Sequence, residues 1–281
     1  MVFRTIRRLI SETFADVERL DKAFSSIAMV TNKSVSDLWS SYDQYVAIAN
    51  KLGQSTESAI KASALFYQQG LDTADALRLT EDTMKLATLA GADFETATQQ
   101  MTAALRGFHM EMDQGAHITD VYSELAAHAA ADVNGIAYAM SKTASIAANA
   151  GMSFETTSAL LAQMIETTQE APENIGTAMK TIIARFTELK KNVSATESEF
   201  EDLDYNKVDT ALKTVGINIK DATGQFRNLD EVFLELSSKW DTLDRNSQRY
   251  IATIAAGSRQ QSRFIAMMEN YERTMQLVNI A

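Results

Sequence analysis

The residues best suited to chemistry are three histidines and the acids around them. His117, Glu124, His128 and Asp132 stand 7, 4 and 4 residues apart. On a helix this spacing lines imidazoles and carboxylates along one stripe, and these are groups that bind a divalent metal. The stripe spans four turns, however, and Asn134 and Gly135 crowd its end. Helical metal sites draw their ligands from facing helices, and no second carboxylate–histidine helix answers this one. The residues favour a polar stripe facing solvent or a partner helix. A helical metal-dependent enzyme built on His117, His128 and Asp132 stands as the alternative. Glycosidic chemistry needs two carboxyls converging across a cleft, whereas the acids here fall at helix starts and on exposed faces. "GQSTES" and "AGSRQQS" lack the Gly-x-Ser-x-Gly elbow of a serine nucleophile, and no glycine-rich phosphate loop occurs. The reading therefore assigns no catalytic, cofactor-binding or metal residue, expects no cofactor, and expects no enzyme.

Composition points to elements that build rather than react. The chain has 281 residues, 46% of them hydrophobic, enough for one large or two modest cores. It contains a single proline, against roughly 5% in average proteins. Proline is expelled from helix interiors, so this scarcity favours a helical chain. The absence of cysteine removes disulfides, thiolate metal sites and cysteine nucleophiles together. A net charge of -11 argues against specific nucleic-acid binding, which uses clustered positive charge. The one basic cluster, Arg4, Arg7 and Arg8, reads as a solvated helix face. No run of about 18 uncharged apolar residues suggests a membrane span. Glu12 interrupts the apolar start too early for a secretory signal. Thirteen methionines read as core filler.

The elements begin with a heptad. Phe3, Ile10, Val17 and Phe24 recur every seven residues, and Ile6, Thr13, Leu20 and Ile27 fill the positions three later. Two readings stay open: a coiled-coil seam, or an amphipathic helix packed on its own chain, since Leu9 and Phe14 widen the stripe. A seam of Phe3, Ile6, Ile10, Val17, Leu20, Phe24 and Ile27 is too much apolar surface for a solitary helix, so self-association is expected.

Helices and short breaks then alternate, at "KLGQSTES", "QQGLDTAD" and "LAGADFET", each pairing a glycine with a Ser or Asp two residues on. A glycine in the left-handed region ends one helix, and the Ser or Asp caps the next by accepting its orphan N–H groups. "LAGADFETA" at 89–97 has a near-copy, "NAGMSFETT", at 149–157. Gly91, Asp93 and Phe94 thus correspond to Gly151, Ser153 and Phe154, with Phe94 and Phe154 placed to anchor the corner in the core. Glu95 and Glu155 fall in the first turn, where the helix dipole favours a carboxylate. The likeness runs on: Met101, Ala104 and Leu105 match Leu161, Met164 and Ile165. The unit is helix, glycine corner, helix, present twice with a fainter version around Gly53. Two copies fall short of a solenoid and imply a duplicated hairpin within a bundle.

Pro172 suits the first turn of a further helix, whose apolar face runs Ile175, Met179, Ile182, Ile183, Phe186 and Leu189. The acidic stretch after it reads as a linker. Val215, Ile217 and Ile219 alternate before a turn at Asp221 to Gly224 and a return at Phe226, which predicts one small β-hairpin near 215–227. Asn228 to Glu231 resembles a capping box for a helix carrying Val232, Phe233, Leu236 and Trp240. The fold class expected is all-α: helical hairpins or a bundle, with a coiled-coil-like first helix. The segments expected are a helix at 1–34, a helical core at 35–192, an acidic linker at 193–206, and hairpin plus helices at 207–281. The chain stops at "MQLVNIA" without a cap or tail, so a fragment of something longer is expected.

In order and spacing, several stretches resemble the core region of phage tail tape measure proteins. They are "ANKLGQSTESAIKASALFYQQGLDTADALRLTEDTMKLA", "VNGIAYAMSKTASIAANAGMSFETTSALLAQMIETT", "PENIGTAMKTIIARF", "GINIKDATGQFRNLDEVFLELSSKW" and "IATIAAGSRQQSRFIAMMENYE", nearly all of 35–271. The resemblance implies a structural protein of the virion that sets tail length during assembly and leaves ahead of the genome at ejection. It implies residence in the tail lumen or tip, and in the host cytoplasm during assembly. The partners implied are further copies of the chain, most plausibly three in all, with tail-tube and tail-tip proteins and tail assembly chaperones. Members of that family are longer, usually with hydrophobic membrane-active segments and in some cases with peptidoglycan-cleaving domains; neither is read in this sequence, which again implies a partial chain. A cytosolic helical adaptor is the remaining alternative.

Overall fold

The computed structural model describes residues 2–188 and 207–281, with side chains from Phe14 onward. Among the described residues the chain is all-α: 15 α-helices, one 3₁₀ turn and no strand. Contacts divide it into two compact units, Met1–Gln99 with Glu111–Thr119, and Gln100–Met110 with Asp120–Ala281. The expected linker at 193–206, and Leu189, lie outside the described residues.

The first unit holds α1 (Val2–Val30), α2 (Val35–Trp39), α3 (Tyr42–Leu52), α4 (Thr56–Gln68), α5 (Thr73–Ala90) and the start of α6 (Phe94–Gly107). It also holds the 3₁₀ turn Met112–Gln114 and the start of α7 (Gly115–His128). Helix α4 packs against α1, α3 and α5. Its inward face is small and apolar, with Ala59, Ile60, Ala62 and Phe66 buried, and this lets three helices approach one. Local caps set where helices start. Ser34 and Asp37 form a reciprocal capping box for α2, Ser55 accepts the Ser58 N–H at 3.0 Å, and Asp72 accepts the Asp75 N–H at 2.9 Å. The buried Tyr45 hydroxyl lies 2.8 Å from Ser63 Oγ, and desolvation raises its pKa well above the ordinary phenol value.

The second unit centres on α9 (Phe154–Thr168), flanked by α8 (Val133–Asn149) and α10 (Pro172–Phe186). Every residue from Thr156 to Ile165 is buried, and the polar ones are hydrogen-bonded: Thr157 and Ser158 hydroxyls donate to the carbonyls four residues back, and Gln163 Nε2 donates to the Glu269 carbonyl. Pro172 sits in the first turn of α10, and Ile175, Met179, Ile182, Ile183 and Phe186 are buried along it. Then follow α11 (Lys207–Lys213), α12 (Leu229–Trp240), α13 (Arg245–Ala256), α14 (Gln261–Met268) and α15 (Tyr271–Ile280). Phe186 meets Phe233 edge-on, with centroids 4.9 Å apart, and Trp240 meets Phe264 at 5.9 Å. Helix α15 is tied to α9 by the ion pair Arg273–Glu166 at 2.8 Å, and α14 to the loop that follows α9 by Arg263–Glu170.

Two local expectations differ from the structure. The hairpin near 215–227 is reduced to a single antiparallel bridge, Lys220 to Phe226. Asp221 Oδ1 accepts from the Thr223 and Gln225 N–H groups, at 2.8 and 3.0 Å. The ladder goes no further than the Arg227 N–H on the Ile219 carbonyl at 3.0 Å, because the chain turns into α12 at Leu229. The capping box at Asn228 does not form either: Asn228 is the first cap of α12, but its side chain makes no cap hydrogen bond and lies against Gly151.

Candidate functional site

The two copies of the glycine corner are built alike. Gly91 has φ +59° and Gly151 φ +73°, in the left-handed region that costs other residues free energy. The Ala92 N–H donates to the Ala87 carbonyl at 3.1 Å, and the Met152 N–H to that of Ala147 at 3.0 Å. This is the six-to-one bond that closes a helix end. Asp93 Oδ1 accepts the Thr96 N–H at 2.8 Å, and Ser153 Oγ accepts that of Thr156 at 3.1 Å. The Thr96 N–H, and then its hydroxyl, hold the Asp93 carboxyl below its usual pKa. Gly53, at φ +65°, repeats the geometry: the Gln54 N–H reaches the Ala49 carbonyl at 2.9 Å.

What covers them differs. At Gly151 the loop into α12 closes over the corner. The Leu229 N–H donates to the Ala150 carbonyl at 3.0 Å, and Asp230 Oδ2 accepts the Ser153 N–H at 3.1 Å. A Cβ on Gly151 would lie 2.5 Å from Asn228 Oδ1 and 3.2 Å from its Cα. Phe154 is buried, its ring 5.6 Å from Phe108 and 5.5 Å from Tyr122. At Gly91 a Cβ would meet nothing within 4 Å among the described residues. Phe94 is half-buried, edge-on to Phe66 with centroids 6.4 Å apart, and Leu89 is 44% exposed. A cavity of about 210 Å³ opens there, lined by Met84, Ala87, Ala92 and Phe94. It reaches Gln54 and Ser58 beside the Gly53 corner.

The heptad residues fall into two groups. Phe24 and Ile27 are buried in the first unit, Phe24 lying 5.0 Å from Trp39 and 5.8 Å from Tyr45 between ring centroids. Leu20 is half-buried, while Val17 is 49% and Phe14 72% exposed. The side chains of Phe3, Ile6 and Ile10 lie outside the described residues. In the histidine stripe, His117 is half-buried on α7. His128 Nδ1 lies 2.9 Å from the Glu124 backbone oxygen, and Asp132 caps α8 by accepting the Gly135 N–H at 2.7 Å. Among the described residues no group of three or more His, Asp or Glu could hold a metal ion. No helix among them is long and apolar enough to cross a membrane. Sequence reasoning missed the role of Asn228, Leu229 and Asp230, because their string already matched a local cap.

Corners, caps and packed helices, with a small opening at one corner, define a helical scaffold. The profile of the family described as phage-related minor tail protein matches residues 43–257, and the chain belongs to that family. It is also 22% identical, over 246 residues, to the tape measure protein of Pneumococcus phage Dp-1. That match covers 87% of this chain and 20% of the relative, so the chain spans about a fifth of the relative's length. No solved structure matches it.

Proposed function

We propose that this chain is a non-enzymatic, compact docking and assembly segment of a tape-measure-type phage tail protein. The observation that carries the reading is the path of the chain. A ruler must be extended, and a single helix of 281 residues would reach roughly 420 Å at about 1.5 Å per residue. Here α3, α4 and α5 pack side by side within one unit, and α8, α9 and α10 within the other. The longest described helix, α1, has 29 residues, about 44 Å at that rise. Tail length is then set by helical segments outside 35–271.

Family membership and the relative's name support a place in the tail lumen or tip of the virion, after assembly in the host cytoplasm. They support roles in length determination and genome ejection, with tail-tube proteins, tail-tip proteins and assembly chaperones as partners. The exposed Val17, with Phe14 beside it, supports self-association through the seam on α1; the number of copies, three around the tail axis, rests on the family resemblance. The net charge of -11 suits a protein followed through one lumen by DNA, because it repels the phosphates rather than trapping them.

The test is tail length by electron microscopy. Deleting whole heptads outside 35–271 shortens tails in proportion, and deleting one hairpin inside it abolishes assembly. Proportionate shortening with normal assembly from the inner deletion would sink the reading. Light scattering with and without residues 1–30 tests the seam separately, since a monomer in both cases leaves α1 no intermolecular role.

A further inference from the structure

We propose that the open corner at Gly91 is a docking site for a segment of a second polypeptide, one that starts a helix there with an apolar residue followed by a lysine or arginine. The same chain shows what such a corner holds when filled. At Gly151 the occupant is Asn228-Leu229-Asp230. It gives a backbone N–H to the Ala150 carbonyl, buries Leu229, and sets a side-chain oxygen on the Ser153 N–H. At Gly91 the backbone has the same left-handed turn and the same six-to-one bond, and Ala90 stands where Ala150 does. The cavity beside it offers an incoming leucine-like side chain the apolar groups of Met84, Ala87, Ala92 and Phe94, and an incoming backbone the polar groups of Gln54, Ser58 and Thr88.

The difference between the copies sets the chemistry of the partner. Asp93 replaces Ser153, and its carboxylate is already bonded to the Thr96 N–H and hydroxyl, at 2.8 and 2.7 Å. Glu95 has its counterpart in Glu155, so Asp93 is the charge that distinguishes this corner. An acid in the place of Asp230 would meet the Asp93 carboxylate as like charge, whereas a cation there would pair with it. The corner therefore rejects this chain's own Asn228–Asp230 type of segment and accepts its basic counterpart. That selects against a second copy offering the same loop, and for a different polypeptide.

The experiment uses the full chain and two labelled peptides with the sequence of residues 227–240, one native and one carrying Asp230→Lys. Fluorescence anisotropy should show saturable binding of the lysine peptide, at least 10-fold tighter than the native one. Ala92→Trp, which fills the cavity, should weaken it at least 10-fold. Leu89→Arg, a change at an exposed position whose fold is checked by circular dichroism, should also weaken it by placing like charge beside the corner. Absence of saturable binding would overturn the proposal. So would equal binding of the two peptides, or binding unchanged by both substitutions, which would place the peptide at Gly151. Loss of peptide binding as the chain forms dimers at raised concentration would assign the corner to a second copy, and also overturn it.

Discussion

The corners at Gly91 and Gly151 share a sequence, a backbone and a capping scheme, and they differ in what lies on top. The Gly151 corner is closed by Asn228, Leu229 and Asp230, and Phe154 below it is buried. Among the described residues nothing lies within 4 Å of a Cβ on Gly91, with Phe94 half-buried and Leu89 exposed. A duplicated unit has thus been used once as interior and once as surface. The local motif needs only a left-handed residue and a cap, so it is indifferent to its surroundings. One copy can then take up a contact 77 residues away while the other stays free.

This contrast can be broken most forcefully at the glycines. Gly151→Ala carries a left-handed strain of about 1 kcal/mol, and its methyl must displace Asn228, where overpacking costs about 1–3 kcal/mol more. A loss of about 2–4 kcal/mol in denaturant unfolding is expected. Asp230→Ala comes next: it leaves the half-buried Ser153 N–H without its acceptor, at a cost of about 1–2 kcal/mol. Gly91→Ala meets no neighbour among the described residues and should lose only the strain, about 1 kcal/mol. Equal losses at the two glycines would mean the corners are covered alike.

The smallest expected effect is on pH dependence. The Asp93 carboxyl is held below its usual pKa by Thr96. Its contribution is therefore complete above the unfolded value of about 3.9 and is lost as pH falls through the lower folded value. Asp93→Asn keeps a capping oxygen without the charge. Its melting temperature should lie slightly below the parent's near neutrality, and the gap should close as pH falls below about 4. Parallel curves for the two proteins would remove the charged cap from the account.

Much of the local architecture could be read from residue types. The pairing of glycine with Ser or Asp two residues on marks helix ends, because glycine tolerates positive φ and the short polar side chain reaches the next turn. The all-α class followed from the same punctuation and the near absence of proline. Coverage was not legible. Asn228 to Glu231 reads as a capping box, and no local pattern says that Asp230 will cap a different helix instead. His109 makes the same point from the other side. It takes φ +54°, with the Met110 N–H on the Leu105 carbonyl at 2.8 Å, a corner of the same kind without a glycine to announce it. The heptad, too, fixes a stripe but not its partner: Phe24 and Ile27 are buried in their own unit, while Phe14 and Val17 face outward.

Amide hydrogen exchange at Ser153 and Asp93, the equivalent cap positions of the two corners, tests the central contrast most directly. A hydrogen-bonded amide under a packed segment exchanges only when that segment opens, whereas one at a bare corner exchanges by local fraying. The account predicts that Ser153 is protected at least 100-fold more than Asp93 and loses that protection in Asp230→Ala. Equal protection at the two positions, or a Ser153 amide indifferent to Asp230, would contradict it.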